Sequence, residues 1–126
     1  MNFWINHLES ELLSNGHISE AAIIGVDGSV WGKSKGFPAK AAELKAFVSK
    51  FDSDEFSENG IMMGIIMMYF YLSRDHVRAR KGDYGIHAIK RKQLYVIALY
   101  DPKNCSQPEA AITVESYGDK LCEIGY

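Results

Sequence analysis

Trp4, His7 and Trp31 are the side chains of this 126-residue sequence best suited to recognition chemistry. An indole joins a large flat ring to one N–H donor, and an imidazole adds a ring with two nitrogens. Trp4 and His7 stand three residues apart, which places them side by side on a helix surface. The plain alternative is that both indoles are half-buried core residues. A second concentration is basic: Arg74, Arg78, Arg80, Lys81, Lys90, Arg91 and Lys92 share a stretch whose only acids are Asp75 and Asp83, in a chain of net charge −2. Such a cluster suits a partner surface of opposite sign, whose approach it would steer and orient. It equally suits a solvated face that blocks edge-to-edge strand pairing. Residues for covalent or metal chemistry are not grouped. His7, His17, His76 and His87 are scattered, with no Cys-x-x-Cys or His-x-x-x-His pair. No glycine-rich phosphate loop or nucleophile elbow is found, and Asp52, Asp54 and Glu55 read as a solvated loop. Neither an enzyme nor a metal or cofactor site is expected.

The elements that must position these side chains alternate along the chain. A helix is predicted over Asn2–Ser14, with Ile5, Leu8 and Leu12 on its inner face and Asn15-Gly16 as its stop. Two strands, Ala21–Val26 and Ser29–Lys33, flank the turn signal Asp27-Gly28. Pro38 opens a second helix, in which Leu44, Phe47, Val48 and Phe51 keep helical spacing. From Gly60 to Tyr100 the pattern is that of strands. Ile65–Leu72 and Leu94–Tyr100 are almost continuously apolar, as strands covered on both faces are. Val77–Lys81 and Gly85–Lys90 are more polar and read as edge or flanking strands. A last helix over Gln107–Ile124 starts from a Ser106/Glu109 capping box with Pro108 in its first turn, and Val114, Tyr117, Leu121 and Ile124 form its apolar stripe. Gly118 allows it to pack closely on a sheet. The expected fold is α/β of the α+β type: a mostly antiparallel central sheet, the N- and C-terminal helices on one face and the Pro38–Phe51 helix on the other.

Length and composition agree. One domain, 1–126, is expected, and a chain of this size buries enough surface for an ordinary core. The apolar content of 47% and only three prolines exclude a disordered chain. Met1–Leu13 carries Glu9 and Glu11 and no basic cluster, unlike a signal peptide. The apolar run Ile61–Leu72 is shorter than the roughly twenty residues a bilayer needs. Helical rise would hold Cys105 and Cys122 roughly 20–25 Å apart, too far for a bridge. A reduced, cytoplasmic protein is the simpler expectation.

Several strings in this order and spacing resemble profilins. They are Trp4 with His7, Ala22-Ile-Ile-Gly-Val-Asp-Gly-Ser-Val-Trp31, Phe51-Asp52 followed by Asn59-Gly60, Val77-Arg-Ala-Arg-Lys-Gly82 with Gly85-Ile-His-Ala-Ile-Lys-Arg91, and Val114-Glu-Ser-Tyr-Gly-Asp-Lys-Leu121 running to Gly125-Tyr126. The resemblance implies a monomeric, cytoskeleton-associated protein that binds monomeric actin and proline-rich partners such as formins. Trp4, His7, Trp31, Leu121 and Tyr126 would then line a groove for a polyproline II peptide. Such a ligand has no internal hydrogen bonds and presents flat rings and exposed carbonyls. His7 stands where the family usually has Tyr, and Lys120 where it often has His or Tyr. Binding weaker than that of a Tyr-bearing groove, and pH-sensitive where His7 titrates, is therefore expected.

By the same resemblance Met62, Arg80, Lys81 and Lys90 would contact actin, and Ala111 replaces a polar Asn common at that interface. Phosphoinositide membranes are a secondary partner through Arg78, Arg80, Lys81 and Arg91. The alternative is an adaptor or ligand-sensing module of similar fold without actin binding. Nucleic acid is not expected as a partner, because a sheet covered on both faces leaves no exposed aromatic platform.

Overall fold

The computed structural model describes residues 3–14, 16–53, 61–62, 66–72, 75–81 and 84–126, with side chains omitted for 52–53, 61–62, 66–72 and 81. In chain order the elements are α1 (Phe3–Glu11), β1 (Glu20–Gly25), β2 (Val30–Lys33), α2 (Ala41–Ser53), β3 (Ile61–Met62), β4 (Ile66–Leu72), β5 (His76–Lys81), β6 (Tyr84–Lys90), β7 (Leu94–Tyr100) and α3 (Gln107–Glu123). The strands form one sheet in the order β2-β1-β7-β6-β5-β4-β3, every neighbouring pair antiparallel.

Period-two alternation sorts the strand residues to two cores. Ala22, Ile24, Val77, Ala79, Ile86, Ala88, Tyr95, Ile97 and Leu99 pack on one face with Leu44, Phe47, Val48 and Phe51 of α2. Ala21, Ile23, Ile89, Leu94, Val96, Ala98 and Tyr100 pack on the other with Leu8 and Leu12 from the α1 end and Val114, Tyr117 and Leu121 of α3. All seven residues of β7 are buried, which is why it reads as a continuous apolar run. The expected antiparallel sheet with terminal helices on one face and α2 on the other is the observed one.

Three local expectations are corrected. β5 and β6 are interior strands rather than edges: β6 lies between β5 and β7, and Gly85–Ile89 are buried. Arg78, Arg80 and His87 alternate with Val77, Ala79, Ile86 and Ala88 of the α2-side core and so lie on the α3 face of interior strands, where edge protection does not explain them. The Asp27-Gly28 turn is a four-residue loop, 26–29, with Gly28 at φ +89° and Asp27 Oδ1 accepting the Ser29 amide at 3.0 Å. Pro38 precedes its helix by three residues; α2 starts at Ala41, after Glu43 accepts from the Lys40 amide at 2.9 Å. At α3 the capping box forms as expected, Ser106 Oγ accepting the Glu109 N–H and Glu109 Oε1 accepting the Ser106 N–H. Cys105 is buried and Cys122 exposed, both as thiols. Among the described residues no helix is long and apolar enough to cross a membrane.

Candidate functional site

How closely α1 can lie on β2 sets the geometry of the site. A Cβ on Gly32 would stand 2.8 Å from Trp4 Cβ and 3.2 Å from the Ile5 backbone nitrogen. Glycine at that strand position therefore permits the helix backbone to seat directly on β2. Trp31, the preceding residue, then comes beside Trp4, with ring centroids 5.4 Å apart. Gly25 on β1 leaves room for the other side of that indole, since a Cβ there would fall 2.7 Å from Trp31 Nε1.

The chain end is folded onto the same spot. Gly125 takes φ +109°, a conformation that favours glycine. The Tyr126 N–H donates to Leu121 O at 2.9 Å, and Tyr126 O accepts the Gln93 amide at 3.0 Å. Gln93 Nε2 donates to Gly125 O at 3.0 Å. The Tyr126 ring thereby stands edge-on to both indoles, 5.0 Å from Trp4 and 5.7 Å from Trp31. Edge-to-face pairs of this kind add to the stabilisation from burial alone and hold the rings in fixed orientations.

His7 extends the cluster along α1. Its ring lies 5.8 Å from Trp4 and 5.5 Å from Phe3, and its Nδ1 is 2.6 Å from the Tyr117 hydroxyl on α3. Burial, and secondarily the Glu11 charge, push the Tyr117 hydroxyl well above the ordinary tyrosine range. Beyond His7 the space between α1 and α3 opens into a cleft of about 360 Å³ lined by Glu11, Tyr117, Lys120, Leu121 and Ile124.

Trp4, His7, Trp31 and Tyr126 thus converge as half-buried rings, with Leu121 fully buried among the side chains beneath them. Lys120 is exposed and borders the cleft. Sequence reasoning missed Phe3, which is 62% exposed beside Trp4, and the second role of Tyr117. Tyr117 sits on the apolar stripe of α3 and reads as core; its hydroxyl meets a partner 110 positions away, which no local pattern displays.

The basic residues divide. Val77 and Ala79 face α2, so alternation sends Arg78 and Arg80 to the α3 side. Their charges reach the buried Tyr100 hydroxyl there, although burial is the larger effect and raises its pKa. Arg80 is exposed. Arg91 Nη2 lies 3.2 Å from Asp119 Oδ1 on α3. Lys90 goes the other way, its Nζ 5.6 Å from the ring of Tyr95, which belongs to the α2-side core. Arg80 pairs with Gly85 and Lys90 with Tyr95, at opposite ends of β6. Arg80 and Lys90 are therefore not brought together. Met62 and Lys81 lie on β3 and β5, with side chains outside the described residues. Ala111 is nearly buried, and its exposed neighbour on α3 is Ile112.

The Profilin family model matches residues 2–126. A profilin of Bombyx mori is 35% identical over 125 residues, covering 98% of each chain. A Schizosaccharomyces pombe profilin structure superimposes with a TM-score of 0.88 at 26% identity, covering 98% of this chain and 99% of that one. The LokiProfilin2 chain of a complex with rabbit actin shares the fold at 17% identity, with a TM-score of 0.79 over 96% of this chain and 97% of that one. With its sheet order, its helix placement and a family match over the whole length, the chain belongs to the profilin family.

Proposed function

We propose that this chain binds proline-rich peptides in the polyproline II conformation through the Trp4–Trp31–Tyr126 groove, and monomeric actin through the β5–β6 surface beside α3. It would do so without catalysing a reaction. The carrying observation is the convergence of three rings from α1, β2 and the residues after α3, each within 5.7 Å of the other two. A hydrophobic core needs no such grouping at a half-exposed seam, whereas stacked pyrrolidine rings fit it. The test is a tryptophan-fluorescence titration with a decaproline peptide. Saturable binding that falls at least about ten-fold in Trp4→Ala is expected, as for a central aromatic anchor; equal binding by that variant counts against the groove.

The actin reading draws on family membership and on the neighbour found in complex with rabbit actin. Suppression of spontaneous actin polymerisation by the wild type, weakened in Arg80→Glu, is expected. An adaptor of the same fold remains the second reading, favoured by Ala111, which offers no polar side-chain atom on α3. Peptide binding with no effect on actin at tens of micromolar would select it. Formins as proline-rich partners and phosphoinositides near Arg78, Arg80, Lys81 and Arg91 belong to the same proposal. Pull-down by a formin proline-rich segment and co-sedimentation with phosphoinositide vesicles test them.

A further inference from the structure

We propose that Tyr117 is a positioning residue for the peptide groove: its hydroxyl donates to His7 Nδ1 and so presents Nε2–H as the donor for a ligand carbonyl. The inference rests on the groove reading above and adds what the site does with its histidine. The Nδ1···OH distance of 2.6 Å ties α1 to α3 beside the Trp4 ring. Tyr117 is 3% exposed, and this is the hydrogen bond its hydroxyl makes among the described residues. If His7 were instead the donor through Nδ1–H, the buried Tyr117 proton would lack an acceptor. A buried unsatisfied donor is the costlier arrangement, so the tyrosine gives and the histidine accepts. A neutral imidazole that accepts at one nitrogen carries its proton on the other. Burial and the Glu11 charge keep the hydroxyl protonated.

Two measurements test this. Nitrogen-15 NMR of the imidazole rings in the free wild-type protein should show His7 with an unprotonated Nδ1 and a protonated Nε2 at neutral pH. Decaproline titration of Tyr117→Phe should show an affinity about two- to three-fold below wild type, less than the loss of a whole hydrogen bond because His7 keeps its donor and only the share of rings in the competent tautomer falls, with the His7 tautomers mixed. A wild-type Nδ1–H tautomer overturns the proposal even if the variant fails to fold. Equal peptide affinity in a folded Tyr117→Phe overturns it as well. Absence of decaproline binding by the wild type would overturn the groove reading itself, a result distinct from either.

Discussion

At position 7 one side chain meets two demands. The imidazole packs on Trp4 and Phe3 while its Nδ1 is engaged by Tyr117. Ring contact and donor capacity can be separated experimentally, because phenylalanine keeps the first and lacks the second. His7→Phe should bind decaproline about three- to ten-fold more weakly by calorimetry, the loss of one net hydrogen bond. An unchanged or tighter constant would mean that His7 serves the groove only as apolar surface. Gly125 and Gln93 act one step further back: they fix where Tyr126 sits, and so the edge against which Trp4 and Trp31 are set.

Among the elements, the approach of α1 to β2 decides whether a groove exists. The helix is nine residues long, short for an isolated helix, so its order depends on packing. That packing is Leu8 and Leu12 in the shared core plus the backbone contact over Gly32. Gly32→Ala should push α1 outward, because the added methyl meets the Trp4 Cβ and helix backbone rather than a flexible side-chain end. The expected result is a loss of roughly 1–3 kcal/mol in urea unfolding, a red-shifted tryptophan emission and several-fold weaker decaproline binding. Full stability and binding in that variant would show that α1 re-seats at no cost. α3 depends less on such a contact: it has seventeen residues, a complete capping box and its own buried stripe.

In the whole molecule, the two faces of the sheet are covered unequally, and the buried polar residue His87 marks the difference. It is 0% exposed on the α3 side, stacked on His76 at 5.6 Å, with Glu115 Oε2 3.2 Å from its Nε2. Burial first, then the charges of His76, Arg78 and Arg91, lower its pKa from 6.5 to about 4. The nearby Glu115 carboxylate is 44% exposed, so solvent screens its attraction for a proton on His87, and burial prevails. The native state thus holds the imidazole neutral while the unfolded chain binds a proton below its ordinary value. Stability contributed by His87 is present above about pH 6.5 and is lost as pH falls towards 4. Urea unfolding should show a loss of about 2 kcal/mol between about pH 7 and pH 5. His87→Gln should flatten that slope; the same slope in the variant would assign it to other groups.

The sequence determined the elements and their faces, because these depend on local periodicity and capping. The 3.6-residue stripe of Leu44, Phe47, Val48 and Phe51, the continuous run Leu94–Tyr100 and the Ser106/Glu109 box are local signals that the folded chain follows. The aromatic members Trp4, His7, Trp31 and Tyr126 were legible through resemblance, since their spacing alone fits core residues equally well. Tertiary structure decided what depends on register and strand order. β5 and β6 became interior strands once β4 and β7 paired outside them. Arg80 on β5 and Lys90 on β6, members of one basic stretch, came to opposite faces of the sheet and opposite ends of the β5–β6 pair. The His7–Tyr117 bond joins the first and last helices across 110 positions. Such pairings carry no signal in the sequence, because a hydrogen bond between distant residues is set only when packing has fixed both helices on the same sheet.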